Sequence, residues 1–103
     1  MYLVQKLNDG YILPIDTSEV YEINGHKGYI QKDNDIWKEV YEKPNGSKMY
    51  GNTLHVIFTT NDLEQVIGYG RKHIKDKDNL DLYMYMIQTM INREYLMEDS
   101  RDE

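Results

Sequence analysis

Between residues 2 and 59, apolar and polar positions alternate in short runs separated by residues that turn a chain. Tyr2 to Leu7 ends at Asn8-Asp9-Gly10, a tight hairpin signal. Tyr11 to Ile15 follows, and Pro14, which has no N–H to donate to a ladder, places that strand at a sheet edge. After the Asp16-Thr17-Ser18 loop, Val20 to Ile23 runs into Asn24-Gly25, a two-residue hairpin signal whose return strand is Gly28 to Lys32. Asp33-Asn34-Asp35 turns the chain into Ile36 to Lys43, and Pro44-Asn45-Gly46-Ser47 turns it again. Lys48 to Thr59 reads as one last segment, bent or bulged at Gly51-Asn52. Its end, Leu54-His55-Val56-Ile57-Phe58, is apolar on both alternations, which predicts a central strand buried on both faces.

The period then lengthens to that of a helix. Asn61 as N-cap with Glu64 three residues on predicts a capping box, and Leu63, Val66, Ile67, Gly70 and Ile74 fall on one narrow face. Asp76-Lys77-Asp78-Asn79 is a connector, with Asp78 the expected N-cap of a second helix over Asn79 to Met97. Leu80, Tyr83, Met84, Ile87, Met90 and Ile91 form the main apolar face of that helix. Residues 98–103 read as a charged, frayed tail. Strands first and helices last predict one α+β domain over residues 1–103. It would have an antiparallel, hairpin-rich sheet of about five or six short strands with two C-terminal helices on one face. A strongly bent sheet resembling a half-barrel is the alternative arrangement.

Composition narrows the function classes. The chain has 103 residues, 40% hydrophobic and 29% charged, with a net charge of −6 and no cysteine, so it offers no disulfide, thiolate metal site or thiol nucleophile. Neither a secretory leader nor an apolar run long enough to span a membrane is apparent, which makes a cytoplasmic protein the expectation. Alanine is missing, whereas Asn, Ile, Tyr, Asp and Lys abound. Their AT-rich codons point to an AT-rich genome or a mobile element within one. An acidic chain argues against a phosphate-backbone binder and favours a basic partner.

No motif carries catalysis or a cofactor. His26, His55 and His73 show no metal-ligand spacing, and His73 with Asp76 reads as structural rather than as a ligand pair. Ser18, Ser47 and Ser100 lack a nucleophile elbow. Asp76 to Asp81 fails as a calcium loop, because Leu80 and Asp81 stand where an oxygen ligand and a glycine are needed. Gly68-Tyr69-Gly70-Arg71 lies inside the helical pattern, not ahead of it, so its glycines serve packing and not phosphate binding. Arg71, Lys72 and Lys75, with His73 and Lys77 alongside, form the single basic cluster and a candidate anion site. Cations at a helix C-terminus also complement its dipole, and that reading is preferred.

Two features bear on partners. There are ten tyrosines, of which Tyr2, Tyr11, Tyr21, Tyr29, Tyr41 and Tyr50 fall in or beside strands with Trp37. Such a face could stack single-stranded bases, which with the basic cluster makes a nucleic-acid module the alternative function. Tyrosine is also a strong strand former, and base-stacking sheets pair their aromatics with a positive groove that an acidic chain does not offer. The second feature is a second, narrower stripe on the last helix, opposite its core face: Leu82, Tyr85, Thr89 and Leu96. Either the helix is sandwiched, or the stripe meets another chain, including a second copy in a homodimer. The leading expectation is a non-enzymatic, acidic protein-binding module, an inhibitor or adaptor, with no cofactor, no metal and no membrane contact.

Overall fold

The computed structural model describes the backbone of residues 1–101 and the side chains of residues 1–94. The chain is α+β, with antiparallel sheets followed by two C-terminal helices. Its seven strands form two sheets, not the single sheet of five or six expected. The strands are β1 (Tyr2–Lys6), β2 (Ile12–Asp16), β3 (Tyr21–Ile23), β4 (His26–Asp33), β5 (Ile36–Glu42), β6 (Lys48–Thr53) and β7 (Val56–Thr60). One sheet has the order β2-β1-β7, and the other is the meander β3-β4-β5-β6.

The extra strand comes from a switch of sheets at Leu54-His55. Leu54 N–H still bonds Trp37 C=O in the meander (2.8 Å), while the next residue, His55, offers its C=O to Lys6 N–H of β1 (2.9 Å). What the pattern joined into one segment is therefore two strands in different sheets. β6 carries the expected bulge, since β5 pairs Lys38 with Thr53 and Val40 with Tyr50, leaving Gly51 and Asn52 opposite one residue. The expected central strand is wrong. β7 is an edge strand, and its ladder with β1 skips Ile57, so the apolar residue on the second alternation is a bulge residue open to solvent. The central strand is β1, whose Tyr2, Leu3 and Val4 are all buried.

β2 is the expected edge, and Asn79 closes it. The side-chain Oδ1 of Asn79 accepts from Ile12 N–H (3.0 Å), and its Nδ2 donates to Ile12 C=O (2.8 Å). One amide thus supplies the donor and acceptor that a neighbouring strand would. Two residues on, Pro14 has no N–H to expose. At Asn24-Gly25, φ values of 53° and 79° give the mirror-image turn that matches strand twist, and Asn34-Asp35 repeats it with φ of 49° and 69°.

Two helices cover one face of the three-stranded sheet. Helix α1 (Leu63–His73) is capped by Asp62, whose Oδ1 accepts from Glu64 N–H (3.0 Å), not by Asn61. Helix α2 (Lys77–Arg101) is capped by Asp76, which accepts from Asp78 N–H and Asn79 N–H, so Asp78 lies inside the helix. Tyr2, Val4, Val66, Ile74, Tyr83, Ile87 and Met90 form the main core, with Phe58, Leu63, Ile67, Leu80 and Met84 packed around it. Ile91, assigned to the core face, is exposed. α2 runs on to Arg101, so the backbone of residues 98–101 is helical where a frayed tail was expected, while residues 102–103 and the side chain of Leu96 lie outside the described residues.

β2 and β7 each run antiparallel to β1, hence parallel to each other. Parallel strands cannot be joined by a tight hairpin, and here the connection is the whole meander. Leu3 points away from Tyr2 and Val4 yet is fully buried, so the second face of β1 is covered as well. Covering is uneven: across residues 21–53 only Val40 is fully buried, flanked on its own face by its ladder partners Tyr29 and Tyr50. The radius of gyration, 14.9 Å, exceeds the roughly 13 Å of an ordinary domain of this length. No helix of the described residues is long and apolar enough to cross a membrane.

Candidate functional site: an open groove between the sheets

The second face of the three-stranded sheet and the meander diverge, leaving a groove of about 390 Å³. From the first sheet and its loops come Gln5, Leu7, Ile15 and Asp16, and from the meander Tyr21, Ile23, Ile30, Glu39 and Tyr41. Ladder register explains the meander side: Tyr21, Gly28, Tyr41 and Met49 lie in one cross-strand row and project to one face, as does Ile30 opposite Glu39. Leu54 closes the line at the sheet switch, and Met86 of α2 reaches in from the side of β2. These walls are mainly apolar, and the meander's outer residues remain open, with Tyr21 54%, Ile23 67% and Tyr41 42% exposed.

Three carboxylates, Asp16, Glu19 and Glu39, share the groove lining, which contains no lysine, arginine or histidine. Each is oriented locally. Glu39 accepts from the Tyr41 hydroxyl (2.5 Å), which holds that hydroxyl protonated above the ordinary tyrosine range. Glu19 accepts from the Tyr21 hydroxyl and pairs with Arg93 of α2. Asp16 Oδ1 accepts from the backbone and hydroxyl of Ser18 (3.0 and 2.7 Å). Pattern reading missed this site because it is assembled from β2, β3, β5 and α2. The one sequence signal was the recurrence of Tyr two residues from Glu, at Glu19/Tyr21 and Glu39/Tyr41, which within β5 sets Glu39 and Tyr41 on one strand face.

The stripe on α2 continues this surface. At 3.6 residues per turn, Leu82 and Thr89 flank Met86 at i−4 and i+3, and Tyr85 lies just beyond. Leu82 is 40% and Tyr85 70% exposed, and Thr89, also exposed, returns its hydroxyl to Tyr85 C=O (3.1 Å). Of the two readings for this stripe, its described part is open and not sandwiched.

The strand tyrosines do not make one platform. Tyr2 is in the helical core, donating to Glu94 Oε1 (2.6 Å), a bond that with burial pushes its pKa up to about 12. Tyr21 and Tyr41 line the groove, and so does Tyr29, although its ladder register with Val40 and Tyr50 sets it on the alternate strand face. Arg71 and Lys72 are exposed in the last turn of α1, and Lys75 just past it donates from Nζ to Lys72 C=O (3.2 Å). The anion-site candidates and the groove aromatics belong to different elements, and the structure does not gather them into one surface. His73 stacks on Tyr69, 4.5 Å between ring centres, with Phe58 beyond. His26 and His55 are exposed, and no cluster of three or more metal-ligating side chains occurs among the described residues.

Comparisons with protein families, with curated proteins and with solved structures found no match for this chain.

Proposed function

We propose that this chain is a non-enzymatic protein-binding module whose contact surface is the open groove with the adjoining stripe of α2. The observation that carries the reading is the placement of the exposed large apolar residues. Tyr21, Ile23 and Tyr41 border one groove, and Leu82 and Tyr85 extend it, where scattered single residues would mean nothing. A rim of carboxylates around an apolar centre is the usual anatomy of a protein contact. The groove's acidic lining also weighs against an oligonucleotide, which would repel it.

Two surface variants test the reading: Tyr21→Asp/Ile23→Asp at the groove and Leu82→Asp/Tyr85→Asp on the stripe. Both change exposed side chains, so circular dichroism should match the wild type. Immobilised wild-type chain should retain a partner from lysate of the source cell that both variants lose. Retention of the same proteins by wild type and variants would overturn the reading. Light scattering after size exclusion identifies a second copy as the partner, as a wild-type dimer that the stripe variant converts to monomer.

A further inference from the structure

The groove's chemistry selects among protein partners, and this step rests on the protein-binding reading above. We infer that the groove receives an extended segment of a partner protein in which apolar side chains alternate with lysine or arginine.

Charge complementarity is the first argument. Three carboxylates stand in a lining without a single basic residue, and Asp16 and Glu39 have no cation within ion-pair distance among the described residues. Neighbouring groups occupy only one oxygen of each, Oδ1 of Asp16 and Oε2 of Glu39, so the other is left to a visiting donor. A second copy of this chain would bring its own acidic groove and a net charge of −6, which opposes self-pairing at this face.

The second argument comes from Arg93. From α2 it pairs with Glu19, and with Asp16, Tyr21 and Glu94 it lines a hollow that adjoins the groove. The chain thus already pairs one cation with a carboxylate of the groove lining, from an adjoining hollow that Tyr21 also lines. Glu39 and Tyr41 repeat the carboxylate–tyrosine pair of Glu19 and Tyr21 in the same lining, without an arginine. Aromatic rings beside carboxylates suit a cation whose stem is apolar. Ile15, Ile23, Ile30, Leu54 and Met86 share the lining with both pairs and offer aliphatic contact. A volume near 390 Å³ holds a few side chains and not a folded domain.

Fluorescence anisotropy with a labelled peptide of alternating leucine and arginine tests the inference, against one with glutamate for arginine and one with serine for leucine. The Leu/Arg peptide should bind, and both substitutions should weaken it. Asp16→Asn/Glu39→Gln keeps the local hydrogen-bond acceptors while removing two charges, and should weaken binding about five-fold or more. Asp33→Asn/Asp35→Asn removes the same charge from the β4–β5 turn and should change it less than about two-fold, separating the groove from bulk attraction. Equal binding of the glutamate peptide, or equal losses in the two charge variants, would overturn the inference. If the Leu/Arg peptide fails while Tyr21→Asp/Ile23→Asp still abolishes partner retention, the inference is wrong and the protein-binding reading stands.

Discussion

At Gly70 the helices meet so closely that a methyl group would overlap the ring of Tyr83, whose Cδ1 lies 2.7 Å from where a Cβ would stand. The ring is fully buried and its hydroxyl donates to Val66 C=O (2.6 Å), so it cannot swing aside without leaving a buried hydroxyl unpaired. Helix propensity alone favours alanine at such a position. Overpacking opposes it and is the larger effect: Gly70→Ala should cost about 2 kcal/mol, seen as a lower urea midpoint at unchanged slope. The sequence placed Gly70 on the buried face because it falls in register with Val66 and Ile74. The identity of the ring that fills the notch was beyond it, because the two residues belong to different helices.

Asn79 acts at the level of the element. It sits in the first turn of α2, where a pattern reading registers only a polar residue near a helix start. In the structure it is the one buried polar side chain among the described residues, and it binds an edge strand 67 residues earlier in the chain. Replacing it by alanine removes both bonds and uncovers Ile12 N–H and C=O along β2. Asn79→Ala should cost about 2 kcal/mol in denaturation and promote association at the freed edge, read by light scattering. The same level explains the caps. Asp62 and Asp76 each sit one or two residues from the position expected, because Asn and Asp cluster at both junctions and any of them could cap. The hairpins were legible because each turn is encoded by adjacent residues. The sheet switch was not, since only partner strands distinguish β6 from β7.

For the whole molecule, the hairpin-rich front and helical back were legible, and so was the packing of both helices on one face. The division into two sheets was hidden, and with it the groove. Long-range pairing decides that division: β1 is completed by β7, which arrives only after the meander that links β2 to it. The groove is a by-product of this route, since a crossover made of strands stands beside the second face of the three-stranded sheet and leaves its own outer rows open. The Leu82 and Tyr85 stripe was readable from helical spacing, whereas its continuity with Met86 and the meander was not.

The route of β1 also sets an order in time. Every ladder of the meander joins neighbours in sequence, so β3 to β6 can pair as soon as they leave the ribosome. The first strand of the chain must wait, flanked on one side only, until β7 has been made, and the open edge of β2 until Asn79 has been made. Trp37, the single tryptophan, lies in the meander and can act as its clock. In stopped-flow refolding its fluorescence should settle before the far-ultraviolet helix signal, and simultaneous settling of both would place the meander and the helical body in one cooperative step.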